Sequence, residues 1–201
     1  MSKGMKIGCG VLGLLAVAAI ALVSWAFGIR NQMVNYDEDV KQKWAQVQSQ
    51  YQRRFDLIPN LVETVKGYAR HERETLEAVI EARSRVGGVT QLDAKDLTPE
   101  NMAKFQAAQA SLSGALQRLM VVVEQYPNLK ANENFKQLQD ELAGTENRIA
   151  TERGRYTESV QQYNRYIRQF PQFLLAGIFN FKEQAQFAAE ESAQTAPKVQ
   201  F

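Results

Sequence analysis

Asn132 to Pro171 reads NENFKQLQDELAGTENRIATERGRYTESVQQYNRYIRQFP, and one stripe runs through it. Phe135, Leu138, Leu142, Thr145, Ile149, Glu152, Tyr156, Val160, Tyr163, Ile167 and Phe170 follow one another in steps of three and four. That spacing returns one face of an α-helix to the same neighbour turn after turn. A half-buried strand would instead alternate with period two. The residues between are mostly Lys, Arg, Glu and Gln, which favour helix and suit a solvated face. The stretch therefore predicts a long helix packed side by side with others.

Two further segments repeat the pattern. One holds Met102, Phe105, Leu112, Leu116, Leu119, Val123 and Tyr126, interrupted only by Gln109. The other holds Val40, Trp44, Val47, Tyr51, Ile58, Leu61, Val65, Tyr68, Leu76 and Val79. Breaks fall where helix chemistry places them. Gly87-Gly88 ends the first region, because adjacent glycines hold helix poorly and readily take positive φ. Thr98-Pro99-Glu100 opens the next with a hydroxyl cap, a proline at the first helical position and an acid at the positive helix end. Tyr126-Pro127-Asn128 closes it, Asn132 caps the third helix, and Phe170-Pro171 stops that one. Pro59 either kinks or splits the first region, which gives three long helices or four. Rods this long pack nearly antiparallel over most of their length. The expectation is an all-α fold, an elongated antiparallel bundle of three to four helices over residues 30–187.

Ahead of the bundle, Ile7 to Ile29 carries no charge, with Lys3 and Lys6 before it and Arg30 after it. As a helix this run is about 35 Å long, enough to cross a hydrocarbon core of roughly 30 Å. It exceeds the apolar region of a cleaved signal peptide. The division is thus a basic start at 1–6, a transmembrane anchor at 7–29, the bundle at 30–187, and a mobile tail at 188–201 that lacks periodicity. With no Pro or Gly cluster at the junction, the anchor is expected to run straight into the first helix.

Charge and chemistry narrow the functions. The chain has 24 basic and 22 acidic residues, and Lys3 and Lys6 precede the anchor, so the remainder is formally neutral. No basic field is present to attract nucleic acid. The single cysteine, Cys9, lies at the edge of the anchor and has no partner for a disulfide; an apolar stretch follows it rather than preceding it, contrary to a lipid-attachment site. His71 is the one histidine, and His71-Glu72 lacks the second histidine of a zinc-protease helix, so it reads as a solvated residue. Phosphate loops and nucleophile elbows are absent. The reading predicts no enzyme, no catalytic residues, no cofactor and no metal site. Two polar clusters read as structural. Near Arg53, Arg54 and Asp56, either Asn60 or an arginine satisfies the carbonyl that Pro59 leaves free. At Glu146, Asn147 and Arg148, Arg148 is the candidate for pairing across helices.

After Pro171 comes QFLLAGIFNFK, where Phe173, Leu174, Leu175, Ile178, Phe179 and Phe181 crowd together. Two readings stand: a lid over the open end of the bundle, or an apolar patch that dips into lipid or grips a neighbouring subunit.

The motifs also carry a resemblance. YQRRFDLIPNLVETVKGY from Tyr51 to Tyr68, HERETLEAVIEAR up to Arg83, YPNLKANENF and LQDELAGTENRI between Tyr126 and Ile149, YNRYIRQFP from Tyr163, and the terminal PKVQF resemble the LemA family of bacterial membrane proteins. The likeness covers nearly the whole chain beyond Asn31, departing at GRY after Arg153 and in the length of the tail. It implies a four-helix-type antiparallel bundle behind one anchor, no enzymatic activity and no cofactor. Relatives are linked to envelope physiology and, in magnetotactic bacteria, to internal membrane compartments. Some lie beside a membrane zinc protease, which implies a partner.

The functional expectation is a membrane-organising scaffold in which anchored rods self-associate on the lipid bilayer, the small residues Gly10, Gly13, Ala16, Ala18 and Ala19 supporting contact between anchors. The alternative is an adaptor for another membrane protein such as that protease. A basic start reads as a signal anchor in the bacterial inner membrane, with the bundle outside the cytoplasm.

Overall fold

The computed structural model describes residues 3–88, 92 and 96–188, with side chains described from Val11 onward. Six helices follow in order: α1 (Lys3–Tyr68), α2 (Arg73–Gly87), α3 (Pro99–Val123), α4 (Pro127–Lys130), α5 (Glu133–Arg168) and α6 (Gln172–Ile178). No strand occurs among the described residues, so the all-α reading stands. The chain rises along α1, returns along α2, rises along α3 and returns along α5, an up-down-up-down bundle.

α1 and α5 form the spine. Tyr36 meets Tyr166, Asp39 meets Ser159, Arg54 meets Glu146, and Tyr68 meets Asn132, an antiparallel ladder along most of α5. Their stripes bury as the periodicity requires: Val40, Trp44, Val47 and Tyr51 on α1, with Ile149, Tyr156, Val160 and Tyr163 on α5. Each such side chain withdrawn from water contributes about 1.5–3 kcal/mol.

The core has two parts with a polar layer between them. Toward the anchor, Trp44 packs against Phe105 and Tyr156 at 5.4 Å each, and Phe105 meets Tyr51 edge-on at 5.0 Å. At the far end, Ile58, Leu61, Val65, Leu76, Val79, Leu119, Val123, Leu129 and Phe135 form the second part. Between them Arg54, only 2 % exposed, binds Glu146 at 2.7 Å, Ser113 at 3.1 Å and the Gln109 side chain. Gln109, the lone polar residue in the α3 stripe, is there to receive that arginine.

Several local expectations hold. Thr98 accepts from the Asn101 amide at 3.2 Å and Asn132 from the Phe135 amide at 3.0 Å, both as N-caps. α2 ends at Gly87, but Gly88 sits at φ −74° and no described glycine has positive φ. α1 runs through Pro59 without a break. The carbonyl that proline cannot serve, that of Phe55, accepts instead from Arg83 Nε at 3.2 Å. The donor is an arginine, but one supplied by α2, since Arg53 and Arg54 bond Glu141 and Glu146.

Other details differ. The first striped region divides at Ala69–Glu72, a turn without Gly or Pro. Folding back there lets Leu76 and Val79 face the α1 stripe they were expected to extend. Arg148 bonds Thr145 within its own helix, and Glu146 makes the pairing across helices. Phe170, the last stripe position, is 78 % exposed because the chain turns away at Pro171.

Candidate membrane interface

α1 is apolar and exposed over the anchor, then buried beyond it. Val11, Leu12, Leu14, Leu15, Val17, Ile20, Leu22, Val23, Trp25 and Phe27 face outward, whereas Ile29 and Met33 are buried in the bundle. The change comes at Ile29–Arg30, where the uncharged run ends. Helical hydrogen bonding continues across it, so the anchor and the first bundle helix are one rod.

α6 sits at this junction. The guanidinium of Arg30 lies 5.6 Å from the centre of the Phe179 ring. Ala176 is buried with Ile29, Met33 and Ile167 in the anchor-side core, and Leu175 and Phe181 pack against that core. The helix ends in a Schellman turn. Asn180 takes φ 58°, a conformation that asparagine tolerates better than most residues. The Phe181 amide then donates to the Ala176 carbonyl at 2.9 Å. This reversal tucks Phe181 beneath α6.

The six residues singled out from the sequence therefore divide by face. Leu175 and Phe181 pack against the anchor-side core, and half-buried Phe179 lies against Arg30. Phe173, Leu174 and Ile178 are exposed by 50, 51 and 74 %, and Phe170 extends the same outer surface. Sequence reasoning left Phe170, Arg30 and Asn180 out of this patch. The signal for Arg30 was its place as the charge that ends the apolar run; nothing local marked Asn180. A shallow hollow of about 450 Å³ lies between α5 and α6, lined by Ile167, Arg168, Phe173, Ala176, Phe181 and Glu183.

Beyond α6 the chain forms an extended strap, residues 181–188, laid along α5. Tyr163 donates to the Lys182 carbonyl at 2.9 Å and Tyr156 to that of Ala185 at 2.8 Å. Asn164 bonds both the amide and the carbonyl of Gln184, each at 2.9 Å. Phe187 then packs on Tyr156 at 5.4 Å, beneath the Arg153 guanidinium at 4.7 Å. Ala188, where the tail was expected to begin, bonds Gln106 at 3.3 Å; the rest of that tail, 189–201, lies outside the described residues.

Electrostatics here are local. Asp37 and Glu38 each lie 2.7 Å from Lys41, whose pKa rises because both carboxylates bond its ammonium. Asp39 accepts from Ser159 at 2.6 Å. Asp37 accepts from Gln184 at 3.2 Å as well, so Asp37 and Asp39 are tied to other parts of the bundle whereas Glu38 stays exposed. Burial raises the Tyr156 phenol, and burial together with the Asp37 charge raises Tyr163 to about 12. Among the described residues no three His, Cys, Asp or Glu side chains are grouped to hold a metal ion.

The LemA family model matches residues 43–201. The chain belongs to the LemA family. Relatives of this LemA-family chain include the magnetosome protein MamQ of Magnetospirillum gryphiswaldense, 28 % identical over 90 % of this chain and 74 % of that protein. Magnetosome protein MamQ 2 of Paramagnetospirillum magneticum is 30 % identical over 94 % of this chain and 73 % of its own length. Protein LemA of Metamycoplasma hominis is 23 % identical over 82 % and 71 %. None of these names describes an enzyme. With one exposed apolar N-terminal helix and such relatives, this LemA-family chain is a single-pass membrane protein.

Proposed function

We propose that this chain is a non-enzymatic scaffold of the bacterial inner membrane, which self-associates and organises or remodels the bilayer with its bundle outside the cytoplasm. The observation that carries the reading is the continuity of α1 from Lys3 to Tyr68. A rod that passes unbroken from lipid into the bundle spine transmits any tilt of the bundle to the membrane, as a flexible tether does not. Gly13 has open space around it, which leaves room for close approach of a second anchor. The relatives named as magnetosome proteins fit a role in membrane organisation.

Electron cryo-microscopy of the full-length protein in liposomes tests this. The expected result is ordered clusters of protein with locally altered curvature. Dispersed monomers on unchanged vesicles at high protein density overturn it.

The adaptor reading has its own support in a groove of about 670 Å³ at the far end, between α1 and α2. Val62, Leu76 and Ile80 form its apolar part, and its charged rim is mixed, with Lys66 paired to Glu63, Arg73 to Glu77, and Arg70 beside them. It predicts stoichiometric recovery of one membrane partner, such as a zinc metalloprotease, from crosslinked membranes.

A further inference from the structure

We propose that α6 is a second membrane contact, a short wedge lying in the headgroup layer of the same bilayer that α1 crosses. The inference rests on the anchor reading and adds a named surface and its occupant.

Depth is the first argument. A hydrocarbon core of roughly 30 Å uses about 20 helical residues. With Ile7 near one boundary, the other falls close to Phe27 and to Trp25, an exposed indole of the kind that settles at headgroups. Arg30 lies one turn further on, and its guanidinium is 5.6 Å from Phe179. α6 is thereby held at headgroup level by the same helix that sets the level. The tether is rigid, since α1 is continuous and Ala176 shares the buried core with Ile29.

Facing is the second. The Schellman turn and the buried Ala176 orient α6 so that Phe173, Leu174 and Ile178 share its outer face, with Phe170 beside them. Exposed phenylalanine and leucine on a helix beside an anchor fit the boundary between headgroups and acyl chains. The rim is the third. Arg30, Arg168 and Lys182 are exposed around the patch, and Glu183 approaches Arg168 at 3.9 Å. A basic rim around an apolar face complements anionic lipid.

The test uses full-length protein carrying Cys9→Ala, one copy per nanodisc of phosphatidylcholine and phosphatidylglycerol. An environment-sensitive fluorophore is placed singly by Leu15→Cys, Phe173→Cys, Ile178→Cys or Ile80→Cys. Probes at 173 and 178 are expected to be roughly threefold or more shielded from a water-soluble quencher relative to position 80, and to be quenched by lipid brominated near its headgroup. Probes at 173 and 178 as open as that at 80, with 15 shielded, overturn the wedge and leave the anchor reading intact. A probe at 15 open to water overturns both. Shielding at 173 that needs two copies per disc and is insensitive to brominated lipid assigns the patch to a second copy and overturns the wedge.

Discussion

Arg83 on α2 donates through Nε to the Phe55 carbonyl on α1 at 3.2 Å, and its guanidinium carbon lies 3.8 Å from the centre of the Phe55 ring. Phe55 is four residues before Pro59, so this carbonyl is the one that the missing proline N–H cannot serve. The interaction joins α1 to α2 at the point where α1 is weakest.

Replacing Arg83 by Met is therefore expected to cost about 1–3 kcal/mol, the range for an acceptor left without its donor. In a Pro59→Ala background the backbone N–H restored at position 59 can bond the Phe55 carbonyl, and the cost of Arg83→Met is expected to shrink. Denaturant unfolding of the four proteins of this cycle in detergent gives the coupling. Equal costs in both backgrounds would show that Arg83 acts through its ring contact alone.

Arg54 holds the polar layer together. Arg54→Ala strands Gln109 and removes the partner of Glu146, so a loss of about 3 kcal/mol is expected. Arg54→Met fills the space without a charge and is expected to recover more than half of that. Glu146 is 42 % exposed at its side chain, and Arg54 keeps Ser113 and Gln109 without it, so Glu146→Gln should cost only about 1 kcal/mol. Urea midpoints followed through Trp44 fluorescence order the three variants.

The strap depends on Asn164, which satisfies Gln184 twice. Asn164→Ala is expected to speed hydrogen exchange at the Gln184 amide by at least about tenfold, equivalent to roughly 1.4 kcal/mol of lost protection. Amides in the centre of α3 should be unchanged. Exchange rising equally in both places would mean that the strap and bundle open as one unit.

Alkali should unfold the anchor side of the bundle first. The Tyr163 phenol has its pKa raised from 10.0 to about 12, and Tyr156 shifts in the same direction. Raised values mean that the folded state holds these protons more tightly than the unfolded state. The Tyr163 contribution is complete below pH 10 and is lost as pH climbs through about 12. Melting temperatures between about pH 8 and pH 12 are expected to fall steeply above about 10. Tyr163→Phe, which does not titrate, should start lower, from loss of its bond to Lys182, but fall less steeply.

Continuity of α1 has a direct readout. Spin labels at Leu15 and Glu38, in a Cys9→Ala background, are expected about 35 Å apart from the helical rise, with a narrow distribution. A broad distribution would place a hinge between anchor and bundle.

Much of the helical plan was legible along the chain. Stripes such as Phe135, Leu142, Ile149, Tyr156 and Tyr163 repeat because burial on a helix follows local geometry, and all five are buried. The caps at Thr98 and Asn132 were readable for the same reason: each bonds an amide three residues away. The candidate interface was half legible. Its apolar residues stood out, but the division into Leu175 and Phe181 against the core, Phe179 against Arg30, and exposed Phe173, Leu174 and Ile178 depends on which side of α6 meets α1.

The amino-acid order by itself determined an all-α chain with an apolar N-terminal rod and long striped helices, because period, caps and apolar length act within a few turns. Tertiary structure alone decided the turn at Ala69–Glu72, which no Gly or Pro occupies, and that Glu146 rather than Arg148 makes the pairing across helices, with Arg54. It also decided the strap along Tyr163 and Asn164 and the seat of α6 beside Arg30. The Arg54–Glu146 pair and the seat of α6 join residues far apart in the chain, which the packed register of α1 against α5 brings within reach, and the turn and the strap are fixed by what α2 and the chain after α6 pack against.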